Sequence, residues 1–177
     1  PVVDTLGMER MSHGYGIVSA ASRPLLLGGK LIEGATTSSN NVAEYHGLIG
    51  CLAAAISAGI KRIHIGSDSG LMVGHVNNTM ACKAPHLQPL LGHIRGLITQ
   101  LDSFQLTHII RERNCLADGV CNALFNHETH FDHLWAKYEW KDTVEYLRVQ
   151  PDTTKQEYQW NLIRSKFNLV IHQLKEL

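Results

Sequence analysis

The stretch "SSNNVAEYHGLIGCLAAAISAGIKRIHIGSDS", residues 38–69, decides how this chain is read. It opens on four small polar residues, after which Leu48, Ile49, Leu52, Ala55 and Ile56 recur at helical spacing. The spacing predicts a helix from about Val42 to Ala58, ended by Gly59. Asn41 and Glu44 stand at capping-box spacing, which places Glu44 in the first turn, where a carboxylate suits the positive end of the helix dipole. "KRIHIGSDS" then reads as a short strand ending in Asp68. Whether Glu44 only caps a helix or also holds a cation depends on where the other acids fall.

Upstream, "HGYGIVSAAS" and "PLLLGGKLIEGA" read as two strands joined by a turn at Ser22-Arg23-Pro24, and "PVVD" as the end of an earlier strand closing on Asp4. Downstream, "SGLMVGHVNN" offers a helical turn or two and "LQPLLGHIRGLITQL" an amphipathic helix. "FQLTHIIRER" reads as a strand and "CLADGVCNALF" as a helix opened by Asp118. The order β β β α β α β α over residues 1–126 predicts an α/β domain in which a five-stranded mixed sheet is flanked by helices. Residues 127–177 form a helical C-terminal extension in this reading. All three tryptophans lie there, and Ile163, Phe167, Val170, Ile171 and Leu174 make an apolar stripe. The stripe is read as packing on the domain, with a protein partner or self-association as the alternative occupant.

The composition sets wide bounds. The chain has 177 residues, of which 44% are hydrophobic, enough for one core. Its 16 basic and 16 acidic side chains cancel, so any affinity for nucleic acid should be weak and salt-sensitive. Cys51, Cys82, Cys115 and Cys121 form no CxxC pair, which favours free thiols and an intracellular, nuclear or cytoplasmic setting. No run reads as a secretory signal or a membrane span, and a membrane partner is not expected. "HETHFDH" spaces His127, His130 and His133 three apart, as on one exposed helix face.

Asp4, Glu44, Asp68 and Asp118 share a pattern: each ends a strand or starts a helix. Parallel neighbouring strands would bring such ends to one sheet edge. Hard divalent cations favour clustered carboxylate oxygens, and acids clustered without a cation repel one another. Acids are also common at strand ends and helix starts for structural reasons alone.

The run from Ser38 to Asp68, with "IIRERNCLADGVCNAL" and the "VVD…HGYGIVSA" start, resembles type-I ribonuclease H. That family carries Thr/Ser-Asn-Asn-x-x-Glu, a helix, a strand ending in Asp-Ser, and later Arg-x-x-Asn-x-x-Ala-Asp before a helix. Motifs in order are far more specific than any one alone. The likeness spans about residues 1–126 and favours the branch without a long basic insertion before the last strand.

The resemblance implies a nuclease that cuts the RNA strand of RNA–DNA hybrids with two Mg²⁺ ions, or Mn²⁺ in their place, leaving 3′-hydroxyl and 5′-phosphate ends. It implies that Asp4, Glu44, Asp68 and Asp118 are the metal ligands. Asp4 would bridge the ions, Glu44 and Asp68 would hold the leaving-group side, and Asp118 would sit nearer the attacking water. Asn40 and Asn41 match minor-groove contacts, and Arg111 and Asn114 the loop before the last helix. Many relatives carry glutamine after Asp-Ser where this chain has Gly70. The loop "TLGMERMSHG" after Asp4 is unusual for the family and keeps a catalytically inactive module, binding nucleic acid or a protein, as the alternative. A domain of a larger or retroelement protein is a further setting.

Overall fold

The structure, a computed structural model, describes residues 2–3, 9–33 and 40–150, with side chains described over 11–32 and 40–150. Asp4 and the apolar stripe of residues 163–174 lie outside the described residues.

Strand β1 (Val2–Val3) pairs antiparallel with β2 (Glu9–Val18), and β2 pairs antiparallel with β3 (Pro24–Glu33). The turn between β2 and β3 closes with Ser19 N–H donating to the Arg23 carbonyl, and Ser22 takes φ of 58°. β4 (Arg62–Ser67) and β5 (Ser103–His108) form a parallel pair running from Arg62 opposite Ser103 to Ser67 opposite His108. Among the described residues the five strands pair in two ladders, β1-β2-β3 and β4-β5, within the α/β architecture expected. Residues of β2 and β4 line a cleft of about 670 Å³.

Helix α1 (Asn40–Ser57) starts two residues earlier than its apolar spacing suggests. Asn41 is consequently inside the helix and is not its cap, and Glu44 is the fifth helical residue, beyond the first turn. The other end is as read: Gly59 takes φ of +80°, Gly59 N–H donates to the Ile56 carbonyl, and Ile60 N–H donates to Ala55. That pair of bonds is the Schellman closure, which a glycine satisfies without a Cβ clash. Helices α2 (Gly70–Val76) and α3 (Gln88–Ile98) follow β4, and α3 leads to β5 without a long insertion.

One apolar core lies beneath β4–β5. Leu48 and Leu52 of α1 meet Met72 and Val76 of α2, Leu91 and Ile94 of α3, and Leu106 of β5. Leu52, Ile94 and Leu106 are fully buried. Polar groups inside it are bonded: Tyr45 Oη lies 2.5 Å from His75 Nδ1, and Asn77 donates to the Leu106 carbonyl at 3.0 Å. Satisfied in this way, they cost little and fix how α1, α2 and β5 meet.

β5 ends sooner than its apolar run implied. Ile109 N–H still donates to Ser67, but Ile110 turns outward and Arg111–Arg113 form a single 3₁₀ turn. Helix α4 (Cys115–Phe125) covers the span expected. It lies directly on β2: a Cβ at Gly14 would stand 2.8 Å from the Ala117 carbonyl oxygen and 2.9 Å from Val120. Only glycine permits that approach.

His127 takes φ of 57° just past α4, and 127–133 are turn and coil. The three histidines therefore share no helix face, contrary to the sequence pattern. The extension continues with α5 (Leu134–Lys137) and α6 (Lys141–Arg148). Leu134 and Trp140 join Leu116, Val120 and Ala123 of α4 in a second buried cluster, so this part packs on the domain. Leu147 of α6 reaches Gly66 of β4, and Arg148 donates to the Ala20 carbonyl at 2.8 Å. α6 thereby spans from one ladder to the other.

Candidate active site

Asn40, Glu44, Asp68, Arg111, Asn114 and Asp118 all line the cleft between β2 and β4. Each arrives by a different route. Asn40 and Glu44 project from the start of α1 one turn apart. Asp68 follows the last residue of β4, and its neighbour Ser69 is the N-cap of α2. Arg111 opens the 3₁₀ turn after β5, while Asn114 and Asp118 flank the first turn of α4. Asp118 N–H donates to the Asn114 carbonyl. Asn41 is half-buried and is not among the cleft-lining residues.

The electrostatics show that the acids sense one another. The Glu44 carboxyl titrates above the ordinary range, chiefly because it is partly buried. A hydrogen bond from Ser69 and the Arg111 charge oppose that rise, and Asp68 adds to it. Arg111 Nε stands 3.9 Å from Asp68 Oδ2, with the arginine side chain 87% exposed. An exposed pair at that distance contributes little stability and leaves the guanidinium free to swing. The Cys121 thiol, one helical turn past Asp118, is pushed up to about 11. Burial is the main cause, and Asp118, Asp68 and Glu44 all add to it. Cys121 lines the same cleft as Glu44, Asp68 and Asp118.

Ser69 and Cys121 were missed by the sequence reading. Ser69 Oγ accepts from Met72 N–H as a helix cap, while its hydroxyl serves Glu44, so one side chain ties α2 to α1. Its only signal was its place in "SDS". Cys121 was signalled by its spacing of three from Asp118, which puts both on one helix face.

Carboxylate oxygens are the donors a hard cation takes. In chemistry the set fits such an ion, and the raised Glu44 carboxyl is what burial, with repulsion from Asp68 added, produces against the opposing Ser69 bond and Arg111 charge. Among the described residues, no three His, Cys, Asp or Glu groups approach closely enough to hold an ion.

The model of the reverse transcriptase-like family matches residues 9–124. The chain belongs to that family, and its fold is that of ribonuclease H. It is 34% identical over 98 residues to a ribonuclease HI of Halobacterium salinarum, covering 54% of this chain and 49% of that protein. It is 33% identical over 111 residues to the bifunctional protein Rv2228c of Mycobacterium tuberculosis, covering 62% of this chain and 30% of that one. The chain thus spans half or less of the length of these curated relatives. The crystal structure of the Halobacterium salinarum ribonuclease H1 superposes with a TM-score of 0.62 at 27% identity, covering 68% of this chain and 95% of that one. The N-terminal ribonuclease H domain of Rv2228c gives 0.59 at 27% identity, with 68% and 92% covered.

Proposed function

We propose that this chain is a divalent-metal-dependent ribonuclease H, hydrolysing the RNA strand of RNA–DNA hybrids and leaving 3′-hydroxyl and 5′-phosphate ends. The observation that carries the reading is the arrival of Glu44, Asp68 and Asp118, from three separate elements, on one cleft. The likeness to ribonucleases H1 supports it. Glu44, Asp68 and Asp118, together with Asp4, would hold two Mg²⁺ or Mn²⁺ ions. Such ions activate water and stabilise a leaving oxygen.

The chain's own groups do the rest. Arg111, exposed and only loosely paired, would neutralise a phosphate beside Asp68. Asn40 presents an amide at the cleft that can bond base edges and 2′-hydroxyls, the group that separates RNA from DNA. Asn41 and Asn114 complete the proposed contact set. Four free cysteines suit a reducing intracellular setting, which we also propose. No described helix is long and apolar enough to cross a membrane.

The second reading, a catalytically inactive module that binds nucleic acid or a protein partner, draws on the spacing of the described donors, which do not close on one point. One assay separates the two. End-labelled RNA–DNA hybrid, RNA duplex and DNA duplex are incubated with Mg²⁺ or Mn²⁺ and either wild type or Asp68→Asn. Cutting confined to the hybrid's RNA strand and lost in the variant establishes the enzyme. Intact hybrid with folded wild type in both metals establishes the module.

A further inference from the structure

The 3₁₀ turn Arg111–Arg113 carries Arg111 to the cleft and hands the chain on to Asn114 and Asp118, yet it is weakly built. It buries no residue, and Asn114 enters α4 without a side-chain cap bond. Its local closures include Asn114 N–H on the Arg111 carbonyl at 2.9 Å and the Cys115 thiol on the Glu112 carbonyl at 3.1 Å. So short a 3₁₀ piece, with the poorer bond geometry of its kind, does not hold itself in place.

What grips it comes from α6. Thr143 Oγ1 donates to the Arg113 carbonyl at 2.6 Å, and the Arg113 guanidinium lies 4.3 Å from the centre of the Tyr146 ring. Thr143 and Tyr146 stand three apart on one side of the helix, so they hold the main chain and the side chain of a single residue. α6 is itself fixed at both ends. At its start Glu139 accepts from the Lys141 and Asp142 amides, and buried Trp140 donates to the Trp135 carbonyl. At its far end Leu147 lies against Gly66 of β4. Arg113, Thr143, Val144 and Leu147 line the same cleft as Asp68 and Asp118. The family match ends at residue 124, so the grip on this turn comes from outside the matched domain.

We propose that Thr143 and Tyr146 are positioning residues: through Arg113 they set the turn from which Arg111 and Asn114 reach the cleft. Arg111 is only loosely paired with Asp68, so the place of its main chain decides where its charge falls. A shift of about 1 Å there is enough to cost a large factor in rate. The proposal rests on the reading of this chain as a ribonuclease H.

Hydrogen exchange and hybrid cleavage, both on the full chain, test it. Thr143→Val removes the donor at nearly constant volume, and Tyr146→Leu removes the ring. Thr143→Ser and Tyr146→Phe keep them. The amides of Asn114 and Asp118 should exchange about tenfold faster in the first two variants, with the core amides of α1 and α3 at wild-type rates. Cleavage should fall about tenfold in kcat in the same two, and the conservative pair should restore most of it. On an Arg111→Ala, Asn114→Ala background Thr143→Val should cost roughly twofold or less, because its effect passes through those two side chains. Unchanged exchange at Asn114 and Asp118 in both Thr143→Val and Tyr146→Leu overturns the proposal. So does exchange quickened equally throughout the chain, the mark of a merely structural role. An equal cleavage loss on both backgrounds overturns it too, as does full cleavage with quickened exchange. Wild type that leaves the hybrid intact breaks the catalytic reading instead, and the exchange rates then decide the grip of α6 by themselves.

Discussion

Helix α1 has two sides, and they obey different rules. Toward β4–β5 it buries Leu48, Leu52 and Tyr45 in a core where every polar intrusion just described is bonded. Toward the cleft, one turn from Asn40, it carries a half-buried carboxyl beside two more acids, with a single exposed arginine as counterweight. The first side is what stability selects. The second is a local cost that a fold tolerates where chemistry is done, because a stable core elsewhere carries it.

The contrast can be broken at either end. The largest effect should come from the cleft. Asp68→Asn should lower hybrid cleavage roughly 100-fold or more while leaving urea unfolding near wild type, as expected of a group that acts on developing charge. Leu52→Ala should do the reverse. It empties a fully buried site at a cost of about 2–5 kcal/mol in chemical denaturation, and whatever remains folded should retain its turnover.

Two pH experiments sharpen the comparison further. His13, on β2, is held down to about 4, mainly by burial, with His46 and Lys30 adding. The unfolded chain therefore binds the extra proton first, so stability is full above about pH 6.5 and falls as pH drops toward 4. His13→Gln should flatten that fall, read as urea midpoints at several pH values. Glu44 is shifted the other way, and the sign reverses: the folded state keeps its proton longer, so ionisation at neutral pH works against folding. Glu44→Gln should be inactive yet melt a few degrees higher at neutral pH. The gain should vanish in acid, where the Glu44 carboxyl is protonated in the folded and the unfolded chain alike. Least of all, Arg148→Ala loses an exposed ion pair with Glu145 and the bond to Ala20, and should cost about 0–1 kcal/mol.

Periodicity made the local elements legible. The α4 span and the glycine stop of α1 follow from patterns within about a dozen residues. The misreadings have physical causes. The cap signal at Asn41 was mimicked by a tandem Asn40-Asn41, both of which are helical. β5 was read too long because Ile109 and Ile110 continue its apolar run, although only Ile109 is buried. Histidines at spacing three suggested a helix, but the chain turns at His127.

Motif order named a set of candidate residues, of which Asn40, Glu44, Asp68, Arg111, Asn114 and Asp118 line one cleft, yet the wiring among them was not legible. The Ser69–Glu44 bond joins elements 25 positions apart, and Cys121 reports on acids from three elements. That residues of β2 and β4 line one cleft is likewise a long-range outcome that no local pattern encodes.

The most direct test of the account is a melting curve of wild type, Glu44→Gln and Asp68→Asn with and without millimolar Mg²⁺ or Mn²⁺. A ligand that binds only the folded state raises its stability by mass action. If the acids of the cleft await a cation, metal should raise the wild-type melting temperature and leave both variants nearly unmoved, with Glu44→Gln already higher in the absence of metal. Equal response of all three proteins, or none in wild type, would contradict it.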